Sequence, residues 1–343
     1  MAQIQMLDDD NPADFEWIVL ADGGARDAFE IELEATRKFL SIPNGQWAVH
    51  YYEKGGANVL CQVRCILEKH PVQISGRPRV FWSLYDEPDG HALCSLLETL
   101  SHSFHVIAPK SWAFAVSTAK TAMKRQFMAC GVPTAPFCTS PFDTDEEFGG
   151  VPWFVKMDVG ASAVGITLEN KVTTPDSMKA AWSRVETMGY GVFAEHFIRG
   201  RECTVVVCGP VESPTIFAPM ERIFKEGLDG HEIDEVWDNY TWETTKPEVD
   251  PWAAAAKVLA LDAYRAMRAT PYARVDIRDK FVLEVFISFT LIPILQPCLD
   301  LIFSSTRFTF FLLVKETERY VVAYSHYSTK SYPALLYCVA FLH

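Results

Sequence analysis

The feature that most limits what this chain can fold into is a lysine delivered into a run of small residues. Pro152-Trp153-Phe154-Val155-Lys156 is an aromatic and β-branched run of strand length, and Met157-Asp158-Val159-Gly160-Ala161-Ser162-Ala163-Val164-Gly165-Ile166 follows it. Small residues let backbone N–H groups approach an anion closely, and the lysine adds a point charge. Taken alone, the segment also fits an ordinary hairpin with an exposed lysine.

Two further segments narrow the choice. Phe193-Ala194-Glu195-His196-Phe197-Ile198-Arg199-Gly200-Arg201-Glu202 places Glu195 and Glu202 on either side of a turn at Arg199-Gly200. Tyr272 to Ile277 and Phe281 to Val285 are two strands joined by Arg278-Asp279-Lys280. If that hairpin is symmetrical about Lys280, Asp276 and Glu284 lie on one face. Two facing carboxylates are costly without a cation between them, and hard divalent ions take oxygen ligands. Val275, Ile277, Leu283 and Val285 around them argue against a merely solvated acidic face.

Around these segments the chain reads as α/β. Trp17 to Leu20 is a strand that ends at Gly23-Gly24, followed by the helix-like Arg26 to Leu40. Trp47 to Tyr52 and Val80 to Leu84 are strands, and Gly90 to Leu100 has helical spacing. Helices are also expected over Ala119 to Cys130, closed by Gly131-Val132-Pro133, and over Trp252 to Arg268. The expected divisions are a leader over 1–14, an N-terminal domain over 15–112, then 113–190, 191–285 and an atypical tail over 286–343. With 31 Lys and Arg against 44 Asp and Glu, the net charge of −13 excludes a general nucleic-acid binder, which needs clustered cations. Nine scattered cysteines, with no zinc spacing and no signal-peptide pattern, point to free thiols in the cytoplasm.

The order of a helix lysine, a glycine-rich hairpin with a lysine, Glu-x6-Glu, Arg-x-Asp and Leu-Glu resembles the ATP-grasp family. Within it, the chain is most similar to D-alanine–D-alanine ligases over about residues 115–285. The resemblance implies a Rossmann-like N-terminal domain, a small lid domain and a larger ATP-grasp domain, with ATP between the last two and Mg2+ as its metal. Ser117-Thr118-Ala119-Lys120 through Gly131-Val132-Pro133-Thr134 is similar to the family helix whose lysine reaches the ATP phosphates. By the same resemblance Lys156 is a second phosphate lysine, Gly160 to Gly165 the cover over the triphosphate, and Ser162 an organiser of the substrate site. Glu195 would accept from the adenine amino group, backbone at Phe197 and Ile198 would read the rest of the ring, and Glu202 would hold the ribose. Asp276 and Glu284 would ligate magnesium, and Arg274 would steady the acyl phosphate. Glu30, after Gly23-Gly24, would bind a first substrate's ammonium, and Asp86-Glu87-Pro88-Asp89-Gly90 echoes a further family turn. The implied reaction joins a small-molecule carboxylate to an amine, an amino acid or dipeptide, at the expense of ATP. A homodimer is compatible with it.

The departure comes two residues after Glu284. The family carries Glu-x-Asn there and then a closing proline-glycine segment, whereas this chain has Phe286, which offers a metal no oxygen. From Phe286 to His343 there are twelve Phe or Tyr, four Lys or Arg, three Asp or Glu and no glycine, which leaves −14 on the preceding residues. Such a change in mid-motif resembles a translated intron or shifted frame, and the tail is expected to fold poorly. Val285 to Leu299 is apolar but interrupted by Pro293 and Pro297 and is shorter than a membrane helix, so tethering to a membrane is the disfavoured alternative. A non-catalytic ATP-binding protein is the other alternative.

Overall fold

Trp17 to Ala21 is apolar at five successive positions, which a strand carries only when both of its faces are covered. It forms β1 (Glu16–Asp22), where all five side chains are fully buried. β1 pairs in parallel with β2 (Trp47–Tyr52) on one side and β3 (Arg79–Leu84) on the other. β3 pairs in parallel with β4 (His105–Ile107), giving the order β2-β1-β3-β4. Helices α1 (Val59–Lys69) and α2 (Gly90–Thr99) alternate with these strands, the Rossmann-like arrangement expected. Gly23 ends β1 where a Cβ would lie 2.8 Å from the Tyr52 carbonyl oxygen, so only glycine fits.

The computed structural model describes residues 15–23, 26, 30, 33–34, 37–38, 42–53, 59–69, 79–84, 90–99, 105–142, 151–160, 165–225, 227, 240–287, 315–316 and 319–320. Ser162, Gly24 and Asp86 to Asp89 lie outside them, as do the leader and all but four residues of the tail after Ile287. The chain divides into two compact units, with the second running from Ala113 to Ile287. Among the described residues no helix is long and apolar enough to cross a membrane. The seven described cysteines are all free.

In the second unit, α3 (Ser111–Thr118) and α4 (Lys120–Ala129) are separated by Ala119, which is extended and bridges Val159. The first sheet is antiparallel and contains β5 (Phe137–Cys138), β6 (Trp153–Met157), β7 (Lys171–Val172) and β8 (Val192–His196) in the order β5-β8-β6-β7. The division expected at 190/191 therefore falls before the last strand of this sheet rather than after it. One face of β6, with Trp153, Val155 and Met157, packs with Met178, Trp182 and Val185 of α5 (Pro175–Glu186). Sequence patterning gave no helix there, although Thr174-Pro175 is a start signal. Thr174 accepts from the Ser177 N–H, Ser177 accepts from the Thr174 N–H, and Pro175 occupies the first turn.

The second sheet is built on β9 (Glu202–Cys208), with β10 (Thr215–Ile216), β11 (Met220–Phe224), β12 (Tyr240–Thr244), β13 (Tyr272–Arg278) and β14 (Phe281–Phe286) in the path β12-β11-β9-β13-β14. Its apolar face holds Cys203, Val205 and Val207 of β9 opposite Ile277, Val275 and Ala273 of β13, all buried. The helix α6 (Pro251–Met267) packs against β9, β13 and β14. Its buried positions Ala253, Ala256, Ala260 and Ala263 recur at helical spacing, and their small side chains let the helix approach the sheet closely. Asp250 caps it, accepting from the Trp252 and Ala253 N–H groups.

The hairpin of β13 and β14 differs from the symmetrical one expected. Arg278 faces Phe281, so the connection is the two residues Asp279-Lys280, with Asp279 in the left-handed region at φ 55°. A bulge between Asp276 and Ile277 then skips Leu283 and brings Glu284 opposite Asp276. Without that extra residue Leu283 would face Asp276. The tail also begins later than expected. Phe286 completes β14 and Ile287 is buried, because the alternation of the strand carries both into the folded body.

Replacing Ala260, which is fully buried against the sheet, by leucine is expected to overpack this contact. The cost should be about 1–3 kcal/mol, read as a lower urea midpoint with an unchanged slope.

Candidate functional site

The site residues occupy the faces of the two sheets that α5 and α6 do not cover. On the first sheet, alternation puts Phe154 and Lys156 of β6 opposite Glu195 and Phe193 of β8. Glu195 is nearly fully buried, and a buried carboxylate must be neutralised. Two lysines do so: Lys156 Nζ lies 2.7 Å from Oε1, and Lys124 Nζ lies 2.6 Å from Oε2. Burial pushes the Glu195 carboxyl up, but Lys124 and then Lys156 outweigh it and hold it near 2. Burial lowers Lys156 too, yet Glu195 and then Glu284 leave it above its ordinary range.

Lys124 was not among the residues singled out from sequence. It is fully buried and also donates to the Thr134 hydroxyl at 2.9 Å, which in turn donates to the Val282 carbonyl. The signal that could have found it is its position one turn after Lys120 on the same helix. Lys120 itself stands at the first position of α4 and donates from Nζ to the Gly160 carbonyl. Burial holds its ammonium below the ordinary range, partly offset by Glu284. The N-terminus of α4 is capped from a distance. Asp158 accepts from the Thr121 N–H at 2.7 Å and from its hydroxyl at 2.9 Å, while the Lys120 N–H donates to the Asp158 carbonyl. Asp158 thus ties the start of the glycine segment to the helix that carries Lys120. At the far end of that segment Gly165 has φ 75°, a conformation that glycine adopts without strain.

On the second sheet the polar groups of the face away from α6 stand in rows. Glu202 of β9 is directly opposite both Arg222 of β11 and Arg278 of β13. Arg222 Nη1 lies 2.6 Å from Glu202 Oε1, and Arg278 Nη1 lies 3.4 Å from Oε2. Two residues further along, Thr204, Asp276 and Glu284 are aligned across three strands. Thr204 donates to Asp276 Oδ1 at 2.6 Å. The next row brings Arg274 opposite Phe286. Arg274 donates to both oxygens of Asp276 at 3.0 Å, and its guanidinium lies 4.3 Å from the centre of the Phe286 ring. The two sheets approach at Phe197, whose ring lies 5.0 Å from the Arg278 guanidinium and 4.3 Å from Lys171 Nζ. The Phe197 N–H donates to the Pro152 carbonyl and is thereby unavailable to a base, and Ile198 follows it in the connection to β9.

The structure thus assembles Lys120, Lys156, Gly160, Gly165, Glu195, Phe197, Ile198, Glu202, Arg274, Asp276 and Glu284 in one unit. Glu30 belongs to the other unit, where it is exposed and paired with Arg26 at 2.8 Å. Arg222 and Arg278, like Lys124, were not singled out from sequence. A lone arginine on a strand has no periodicity that distinguishes it from any other surface cation.

Asp276 and Glu284, facing each other beside lysines, have the donor type of a magnesium site that is completed by phosphate oxygens and water. Among the described residues no group of three His, Cys, Asp or Glu side chains could hold a metal ion. Phe286, at the end of β14, offers a metal no oxygen.

Residues 138–288 match the family described as the D-ala D-ala ligase C-terminus. The chain is 28% identical over 169 residues to the D-alanine–D-alanine ligase of Ralstonia pickettii, covering 48% of this chain and 50% of that one. It is 29% identical over 210 residues to the ligase of Cupriavidus necator, covering 59% and 62%. The chain therefore spans about half to three fifths of the length of these curated relatives. The D-alanine–D-alanine ligase of Bacillus anthracis complexed with ATP shares the fold at a TM-score of 0.57 and 14% identity, covering 79% of this chain and 84% of that one.

Lys124→Met would leave the buried Glu195 with one cation and is expected to cost about 3–5 kcal/mol in urea denaturation. The stability that comes from holding the Glu195 carboxyl near 2 rather than 4.5 is present above pH 4.5 and is lost as pH falls toward 2. The parent should therefore lose stability across that window, and the variant should lose less.

Proposed function

We propose that this chain, D-alanine–D-alanine ligase-like and built on the ATP-grasp fold, is an ATP-dependent carboxylate–amine ligase whose amide-forming step is impaired in this form. The observation that carries the reading is the convergence of Lys120, Lys156, Glu195 and Glu202 on two facing polar surfaces of one unit. Lys120 and Lys156 supply the point charges for the phosphates. Glu195, charged and fixed by Lys124, keeps acceptor capacity for an adenine amino group, while backbone around Ile198 borders the base and Glu202 meets the ribose. Ser162 would order the substrate site and Glu30 would take a substrate ammonium. Asp276 and Glu284 would hold Mg2+, which when bound neutralises charge on the β- and γ-phosphates.

In the reaction of such a ligase, a substrate carboxylate attacks the γ-phosphate, ADP leaves, and an amine displaces phosphate from the acyl phosphate to give the amide. The part of this chain is positioning and charge neutralisation, which dominate phosphoryl transfer. Arg274 is the group suited to the acyl phosphate, but here Asp276 takes its Nε and one Nη2 N–H, and the Phe286 ring lies 4.3 Å from its guanidinium. Restraint of Arg274 together with the lost oxygen at position 286 is what favours ATP binding with weak turnover. The substrates proposed are an amino acid or dipeptide and its amine partner, in the cytoplasm.

Calorimetric titration of the full chain with ATP and magnesium should give a dissociation constant in the micromolar to millimolar range. Lys156→Ala should weaken it at least tenfold, and equal heats in parent and variant would refute the phosphate assignment. Phe286→Asn should raise amino-acid-dependent ADP release by about ten- to a hundredfold, the usual scale for a metal-positioning group. Equal turnover in the two would show that Phe286 is compatible with catalysis.

A further inference from the structure

Glu202 is pinned unevenly. Its two oxygens are each met by one arginine, but Arg222 is close at 2.6 Å and Arg278 more distant at 3.4 Å. The two arginines are also held differently. Arg278 is buried, beside the rings of Phe197 and Phe224. Arg222 is partly exposed on β11, and its guanidinium lies 4.7 Å from the centres of both the Tyr240 and Trp242 rings. Those rings belong to β12, where Tyr240 and Trp242 lie opposite Phe224 and Arg222. Contacts with two rings restrict a planar guanidinium, so Nη1 reaches Glu202 in a defined direction.

We propose that Arg222 is a positioning residue that gives the nucleotide site its preference for ribose over 2′-deoxyribose. The inference rests on the reading of Glu202 as the ribose acceptor. An ionised carboxylate has about four acceptor positions. With Arg222 on Oε1 and Arg278 on Oε2, each oxygen keeps one position, which matches the two vicinal hydroxyls of a ribose. Without Arg222, the carboxylate is free to turn toward Arg278 in a two-pronged arginine–carboxylate pair, which leaves one position on each oxygen but turns both away from the direction in which the ribose is met. Arg222 thus acts by keeping Glu202 divided between two arginines.

The test is calorimetric titration of the full chain with ATP and with 2′-deoxy-ATP, in the parent and in Arg222→Met. The parent should prefer ATP by about tenfold, the scale of one hydrogen bond to a charged group. In Arg222→Met that ratio should fall to near one, because ATP weakens while 2′-deoxy-ATP, held by base and phosphate contacts, keeps its affinity within about threefold. A merely structural role would weaken both nucleotides together and leave the ratio unchanged, which would overturn the proposal. A parent that binds both nucleotides equally would overturn it too, while leaving the ATP reading intact. A parent that binds neither would overturn both. If Arg222→Met does not fold, Trp242→Leu, which removes one of the two rings and keeps the arginine, should lower the ratio, and an unchanged ratio there refutes the proposal.

Discussion

A buried carboxylate governs this structure. Glu195 sits at the centre of a lysine pair drawn from two different elements, Lys124 on α4 and Lys156 on β6. An isolated charge in that position would be prohibitive, so helix and sheet must meet where the two ammonium groups can reach it. Asp158 repeats the principle one step along the chain, satisfying the orphan N–H of Thr121 and fixing the helix start. The elements that would carry phosphate contacts are thus located by ion pairs internal to the protein. Such pairs add little net stability over an apolar contact, but removing one partner is costly, so the arrangement is specified strongly.

The second sheet divides its labour by strand alternation. Odd positions of β9 face α6 and are apolar, while even positions carry Glu202 and Thr204 on the opposite side. Because neighbouring strands pair residue against residue, the polar positions line up in rows across the sheet. A slip of one residue would send Glu202 into the alanine face of α6, so the same core that stabilises the sheet fixes the register of the site. At the edge of this frame, Arg201 pairs with Glu221 and with the capping Asp250 and lies over Trp252, which ties β9, β11 and the start of α6 together. Gly200 just before it has φ 124°, and a Cβ there would come within 3.1 Å of the Asp279 Cβ.

The row of Arg274 and Phe286 lies at the edge of this polar surface, where β14 ends. An aromatic ring in that position offers no ligand oxygen, yet it finds a stable partner in the guanidinium. The strand therefore runs through Phe286 to its end. Arg274 is thereby held between the Asp276 carboxylate and the Phe286 ring.

The element types, the resemblance to ligases and most of the charged groups were legible in the residues alone. Consecutive apolar residues in β1, the lysine ahead of small residues, the Pro-led and alanine-rich α6 and the parity of the carboxylates are local features, and local patterns reflect local physics. Tertiary structure decided which charges met. Lys124 looked like any helix lysine until packing buried it against Glu195, and Arg222 gained its meaning only from the strand register that put Glu202 opposite it. The facing of Asp276 and Glu284 was legible, but the route to it was not. A two-residue connection would have opposed Asp276 to Leu283, and only the bulge restored the match. Bulges, cross-strand rows and buried ion pairs depend on contacts between residues far apart in the chain, where desolvation and register, rather than periodicity, set the outcome.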